Sequence, residues 1–369
     1  MALQGKGWFI WQVARCEGGA PEAIAQQAVS AGLTHVLIKI AERTYDFGFD
    51  KQGRDLVPPI AEALRARGVQ VWGWHYIYGD KPAEEARLAV KRCAELRVDG
   101  YVIDAEAEFK QPGKAAARLF MQTLRAELPQ LPVALSSYRY PSLHPQLPWA
   151  EFLEKCDLVM PQVYWEQAHN PEQQLARSAK EFANPDLVTW IRPFVPTGSA
   201  YGVGNWKASP EELKRFLAQA LSLNLPAVNF YSWDFARAPG QTALWEAVAG
   251  FHWPGAEPQD LVTRYFRALN SGDPEQAVAL YHPNAGHVTA ARTIIGADAL
   301  RAWYTGLLGR TLPAAQFTVQ DVSGEGSSWR VTWTATSPAG VVLDGDDTFG
   351  LRDGLIQYHY TYFNLKPAA

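Results

Sequence analysis

The run Tyr101-Val102-Ile103-Asp104-Ala105-Glu106-Ala107-Glu108 sets three carboxylates at two-residue steps directly after an apolar stretch. Side chains alternate across a strand. Val102, Asp104, Glu106 and Glu108 therefore share one face, and Tyr101, Ile103, Ala105 and Ala107 the other. The apolar face suits packing against helices. The acids belong in a hydrated cleft, because an unpaired carboxylate in a core is prohibitively costly. Close like charges raise one another's pKa, so one carboxyl can stay protonated while its neighbour is ionised. Cleavage of a glycosidic bond needs that division of labour, with Asp104 and Glu106 as the catalytic pair. Residues two apart on a strand lie about 6.5–7 Å apart at the backbone, which leaves retaining and inverting chemistry both open. The competing reading is a run of solvated acids in a loop.

Other apolar segments end in aromatic and polar groups. Trp72-Gly73-Trp74-His75-Tyr76, Ser136-Ser137-Tyr138, Met160-Pro161-Gln162-Val163-Tyr164 and Asn229-Phe230-Tyr231-Ser232-Trp233-Asp234 share this character. Rings beside hydroxyl, amide and carboxylate groups suit a carbohydrate, which has apolar faces and a polar edge. The expected substrate-binding set is Trp74, His75, Tyr76, Glu108, Tyr138, Gln162, Tyr164, Tyr231, Trp233 and Asp234. His75 reads either as a proton shuttle or as a hydrogen-bonded structural residue. Cys16 follows the first strand on the same side, and a nucleophilic role for it is a minor alternative. No metal-ligand spacing stands out, and no cofactor is expected.

These residues need a scaffold that gathers strand ends. Strand patterns fall at Trp8–Val13, His35–Ile40, Val69–Tyr76, Gly100–Asp104, Val133–Ser137, Leu158–Val163, Val188–Phe194 and Ala227–Trp233. Between them run amphipathic stretches with apolar residues three and four apart, such as Asp55–Arg67, Ala83–Leu96, Ala115–Leu128 and Pro210–Leu223. This alternation predicts an α/β fold, a (β/α)8 TIM barrel over residues 1–254, whose active site lies at the C-terminal ends of its strands. Gly32, Gly68 and Gly100 read as helix-ending glycines. An open doubly wound sheet would want a Gly-rich phosphate turn after the first strand, and Cys16-Glu17-Gly18-Gly19 does not supply it.

The segment His252–Pro258 carries two prolines and a glycine and reads as a linker. Beyond it, Asp260–Asn270, Pro274–Tyr281 and Ala297–Leu307 are expected helices. Gln316–Val322, Trp329–Thr336, Val341–Leu351 and Leu355–Phe363 are expected strands. That order predicts a smaller α+β unit over 258–369, with helices on one face of a bent antiparallel sheet.

The composition of the 369 residues fits two such folds: 47% apolar and 20% charged, with 34 basic against 38 acidic residues for a net charge of −4. The balance argues against disorder, and without a basic excess no nucleic acid or anionic membrane surface is expected as a partner. No apolar run is long enough to span a bilayer, and no secretory pattern opens the sequence. Three scattered cysteines are not a disulfide framework, so a cytoplasmic setting is expected.

The strand segments of the first half resemble the glycoside hydrolase superfamily. They are most similar to family-25 lysozymes, with kinship to family-18 chitinase-like barrels. Val102-Ile103-Asp104-Ala105-Glu106 is similar to the Asp-x-Glu ending of the fourth strand there. Gly73-Trp74-His75-Tyr76 looks like the lysozyme third strand, Met160-Pro161-Gln162-Val163-Tyr164 like the sixth strand of chitinase-like barrels, and Trp233 like the tryptophan closing the eighth. The resemblance implies Glu106 as general acid/base and Asp104 as the assisting carboxylate. Family-25 lysozymes also carry an aspartate in the first strand, where this chain has Phe9-Ile10-Trp11-Gln12-Val13. The second half resembles the SnoaL-like, nuclear transport factor 2-like cone fold. That resemblance is carried by Tyr265-Phe266 with Gly272-Asp273, by Gly296 with the helix after it, and by Thr348-Phe349 with Asp353-Gly354-Leu355-Ile356. It implies a binding or assembly unit, with Asp347, His359 or Tyr358, Tyr281, Trp303 and Trp333 as candidates to line the cone; strand alternation puts Tyr358 and His359 on opposite faces, so only one of them points inward.

The leading expectation is a hydrolase acting on a glycan, with the C-terminal unit binding or forming a homodimer. Two others stand beside it: a carbohydrate-binding barrel without catalysis, and a cone that itself binds or transforms a small ligand.

Overall fold

The computed structural model describes residues 3–254, 261–325, 327–352 and 355–368. Part of the expected linker, 255–258, and the expected helix start at Asp260 lie outside the described residues, as do Asp353 and Gly354. The chain divides into two compact units.

The first is a closed barrel of eight parallel strands. They are β1 (Gly5–Ile10), β2 (His35–Glu42), β3 (Gln70–Ile77), β4 (Gly100–Ala105), β5 (Val133–Tyr138), β6 (Leu158–Val163), β7 (Thr197–Ser199) and β8 (Ala227–Tyr231). β1 pairs with both β8 and β2, which closes the ring. The outer helices are α1 (Pro21–Ser30), α2 (Val57–Ala66), α3 (Pro82–Leu96), α4 (Gly113–Glu127), α5 (Trp149–Leu153), α6 (Pro171–Phe182), α7 (Pro210–Ser222) and α8 (Thr242–Ala249). Inward side chains fill the barrel: Phe9, Leu37, Trp72, Trp74, Val102, Ala134, Met160 and Ala227 form one buried cluster. Gly100 opens β4 because a side chain there would collide with the Trp72 ring at 2.4 Å.

Two expectations are corrected. Val188–Phe194 is not the seventh strand. Pro193 within it and Pro196 just after it lack N–H donors, and a three-residue strand forms at Thr197–Ser199, where donors exist for both neighbours. Gly100 does not end α3 either; Arg97 takes the left-handed position, with φ 48°. Gly32 and Gly68 do adopt positive φ, 63° and 73°, as helix-ending glycines.

The barrel is also fastened where its first and last elements meet. Lys6 on β1 is buried and donates to the carbonyls of Val248 at 2.8 Å, Ala249 at 3.4 Å and Phe251 at 2.5 Å, at the end of α8. Those carbonyls cluster at a helix C-terminus, where acceptors outnumber backbone donors and a cation is favourable. Burial pushes the Lys6 ammonium down to about 8.

The second unit packs α9 (Leu261–Ser271), α10 (Pro274–Val278) and α11 (Ala297–Gly306) on one sheet. Its strands are β9 (Tyr281–Thr289), β10 (Thr293–Ile295), β11 (Gln316–Glu325), β12 (Ser328–Ser337), β13 (Gly340–Arg352), β14 (Leu355–Tyr362) and β15 (Leu365–Pro367). The order is β10-β9-β14-β13-β12-β11, with β15 on β13. Tyr281 was expected at a helix end and instead begins β9, a strand absent from the sequence reading. His282-Pro283-Asn284 interrupts its alternation, and the register with β14 shifts between Tyr281 and Gly286.

Candidate functional site

The C-terminal ends of the barrel strands surround a cavity of about 320 Å³ lined by Phe9, Trp11, Lys39, Glu42, Trp74, Tyr76, Asp104, Glu106, Ser136, Gln162, Tyr164 and Tyr231. Each strand contributes by alternation from its interior residue: Asp104 follows Val102 on β4, Ser136 follows Ala134 on β5, and Gln162 follows Met160 on β6. β2 departs from this rule. Its pairing with β3 shifts register between Lys39 and Ala41, so Lys39 and Glu42, three apart, both reach the cavity and pair at 2.6 Å. The Lys39 ammonium also lies over the Phe47 and Trp74 rings at 4.5 and 4.9 Å.

The Gln162 side-chain nitrogen binds both acids, donating to Asp104 Oδ1 at 2.9 Å and Glu106 Oε1 at 2.8 Å. One donor thus holds the two carboxylates together at the floor of the cavity. Asp104 is only 7% exposed. Burial, with Glu106 adding, drives its carboxyl well above the ordinary range, while Lys39, Ser136 and Gln162 pull the other way. Glu106 is raised too, by burial and then by Glu108, against its bond from Gln162. Burial and mutual repulsion raise both carboxyls, which is the direction a proton-donating acid beside a charged partner requires.

The expected residues separate into two groups. Asp104, Glu106, Trp74, Tyr76, Gln162, Tyr164 and Tyr231 line the cavity. The others do not. Strand β4 ends at Ala105, so Glu108 starts a short turn instead of continuing the alternation, and reaches back to accept from the Tyr76 hydroxyl at 2.6 Å. His75 faces the opposite side of β3 from Trp74 and Tyr76. It is buried between the Tyr101 hydroxyl at 2.9 Å and the Arg43 carbonyl at 2.7 Å, the structural alternative rather than the shuttle. Tyr138 stacks on His144 with ring centres 3.6 Å apart, beneath Lys110. Trp233 is buried and donates to Glu17 at 2.8 Å, and Asp234 accepts the Trp11 backbone N–H at 3.0 Å. Cys16 is buried, and burial with Asp234 and Glu17 pushes its thiol far up, which removes it as a nucleophile.

The expected substrate-binding set left out Phe9, Trp11, Lys39, Glu42 and Ser136, although Ser136 stands in the strand-end segment Ser136-Ser137-Tyr138. Lys39 had a signal, a charge inside the apolar run His35–Glu42. Glu42 had none, since the register shift places it. Among the described residues, no group of three or more His, Cys, Asp or Glu side chains is arranged to hold a metal ion. No helix there is long and apolar enough to cross a membrane.

In the second unit, α9, α11 and the inner sheet face enclose a polar cluster. The Tyr281 hydroxyl lies 2.5 Å from both the Tyr304 hydroxyl and His359 Nδ1, and Tyr265 joins Tyr304 at 3.1 Å. His359 Nε2 is 3.3 Å from Asp347 Oδ1, and the rings of His287 and His359 are 4.2 Å apart. Burial, then His359, lowers His287 to about 2. His287 Nε2, His359 Nε2 and Asp347 Oδ2 are buried without a hydrogen-bond partner among the described residues. Tyr358, one residue from His359, faces outward as alternation requires, 45% exposed.

No curated protein matches the chain. The SnoaL-like domain family matches residues 262–359. Similar solved structures include an NTF2-like protein from Cytophaga hutchinsonii, 16% identical, covering 28% of this chain and 88% of its own with a TM-score of 0.25. An NTF2-like protein from Burkholderia xenovorans is 21% identical, covering 29% and 83% with a TM-score of 0.26. A cystatin-like fold from Methylobium petroleophilum is 16% identical, covering 29% and 75% with a TM-score of 0.25. Residues 262–359 are thus a SnoaL-like domain, carried on the same chain as an eight-stranded parallel barrel.

Proposed function

We propose that the barrel hydrolyses a glycan, with Glu106 delivering the proton to the leaving oxygen and Asp104 supplying the assisting negative charge. The observation that carries this reading is the Gln162 amide joining the buried Asp104 carboxyl and the half-buried Glu106 carboxyl in an aromatic-walled cavity. Two oxygens on one donor nitrogen hold the carboxyls close together, which favours the short separation of retaining enzymes over the longer one of inverting enzymes. The test is product release, followed by mass spectrometry, from peptidoglycan, chitin oligomers and β-glucans, with wild type and Glu106→Gln side by side. Cleavage lost only in the variant supports the reading. A fully active Glu106→Gln protein overturns it. Binding measured by calorimetry without any product leaves the non-catalytic barrel.

A second reading has its own support. The SnoaL-like domain holds buried histidine nitrogens and a carboxylate oxygen without partners, beside a chain of tyrosine hydroxyls. Unsatisfied buried polar groups are costly and suit a polar small ligand. We propose such a ligand role for this interior, tested by a thermal-shift screen in which Asp347→Asn abolishes the response. We also propose that the exposed stripe Tyr358, Tyr360 and Tyr362 on β14 pairs with a second copy of the chain.

A further inference from the structure

The residue directly after β1, Trp11, is the one large aromatic of the cavity wall left substantially exposed, at 39%. Among the described residues no aromatic ring packs on it, whereas Trp8, Trp72, Trp165 and Trp233 are fully buried. An indole left uncovered in a polar-floored cavity is a flat apolar platform without a partner. The loop behind it is fastened at three points. The Ile10 carbonyl accepts from Trp74 Nε1 at 2.9 Å. The Trp11 N–H is held by the buried Asp234 carboxylate. Glu17, six residues on, accepts from Trp233 Nε1 at 2.8 Å and pairs with Arg237 at 2.7 Å. Loop side chains lose entropy on binding, and a platform fixed beforehand avoids that cost. The last two ties bind the segment after β1 to the segment after β8, across the seam where the barrel closes, and the first binds the end of β1 to β3.

We propose that Trp11 is a stacking subsite for a pyranose ring next to the acid pair, and that Asp234 and Glu17 are positioning residues that hold it. The inference rests on the glycan reading above and adds where the sugar lies. A pyranose presents an apolar face of axial hydrogens to the indole, and its hydroxyls remain free for Glu42, Gln162 and Tyr76. Asp234, expected from the sequence to touch substrate, instead acts through the Trp11 backbone.

The probes are β-1,4-linked glucose and N-acetylglucosamine oligomers, graded from disaccharide to hexasaccharide, with whichever series wild type cleaves or binds used for the comparison. Trp11→Ala should weaken binding or raise KM about tenfold or more. The loss should grow with oligomer length while kcat falls less than KM rises, and Trp11→Tyr should restore most of it. Asp234→Asn should raise KM in the same length-dependent way, with faster amide hydrogen exchange in the 11–19 segment and unchanged exchange in β4. A Trp11→Ala protein that matches wild type at every length, while Glu106→Gln is inactive, overturns the subsite and leaves the hydrolase reading intact. Wild type that neither binds nor cleaves either series overturns the subsite as stated, and the hydrolase reading falls with it when peptidoglycan also yields no product.

Discussion

Gln162 on β6 donates to Asp104 on β4 over 2.9 Å, spanning the intervening strand β5. The bond joins residues 58 positions apart in the sequence. It fixes the distance between the acids, because the same nitrogen also serves Glu106. Gln162→Leu removes the donor from both carboxyls at once. Their pKa values should rise further, since the bond favours the ionised forms. The expected result is an acid limb of the pH–activity profile displaced upward and a turnover loss of about 10²-fold or more. An unchanged profile in a folded Gln162→Leu protein removes the amide from the mechanism.

Asp104 should cost the barrel stability. Its folded carboxyl ionises well above its ordinary value, chiefly through burial. The folded state therefore binds a proton that the unfolded chain releases, and the cost is present above the folded pKa and absent below the unfolded value. Asp104→Asn, which can still accept from Gln162, should raise the melting temperature at pH 7 by ~2–4 °C for each kcal/mol regained. The gain should vanish as pH falls below the ordinary carboxylate range. Calorimetry at two pH values checks both parts.

The buried histidines act in the opposite direction. Burial pushes His35 and His75 from 6.5 down to about 4. The unfolded chain takes up protons between those values that the barrel refuses. Stability is fully present above pH 6.5 and is lost as pH falls through the window towards 4. His75→Gln, which keeps a group able to bond Tyr101 and the Arg43 carbonyl, should flatten this acid limb. Urea midpoints compared with wild type across that window give the answer.

Tyr281 is the hub of the polar cluster in the SnoaL-like domain. Tyr281→Phe leaves the Tyr304 hydroxyl and His359 Nδ1 without their shared partner. Tyr304 keeps Tyr265, but stranding the buried His359 Nδ1 costs about 1–3 kcal/mol. The loss should appear in the thermal transition of this domain, with the transition of the barrel unchanged.

The proposed pairing of copies depends on the outward tyrosines of β14. Tyr360→Lys with Tyr362→Lys should shift the protein to a lower mass in sedimentation equilibrium. An unaltered mass means the stripe is not the contact.

The barrel was legible because apolar strands and amphipathic helices alternate in a regular rhythm, and because Asp104 follows a strongly strand-forming run. The seventh strand was misplaced because only three residues of it pair, too few for periodicity to register. The strand-end pattern also gave Gln162, the hydrogen-bond partner of Asp104, and Tyr164, which lines the same cavity. It could not give Glu42, which depends on a register shift, nor keep Glu108 on the strand, which stops three residues earlier. His75, Trp233 and Asp234 have the chemistry of site residues, but their partners lie behind the wall. Residue type alone does not reveal which side of a strand or loop a partner occupies. In the second unit, the helix pattern ran through Tyr281 because its apolar spacing fits both helix and strand, and only pairing with β14 decides.

The grip of Lys6 on the carbonyls of Val248, Ala249 and Phe251 brings the first strand of the barrel against its last helix. Residues far apart in covalent order are there joined by a splice of three hydrogen bonds. The ring of strands consequently has no intrinsic first member. A rearranged gene that links the stretch before Gly5 to the stretch after Phe251, and opens the chain in a surface loop elsewhere, should close the same barrel around the same acid pair.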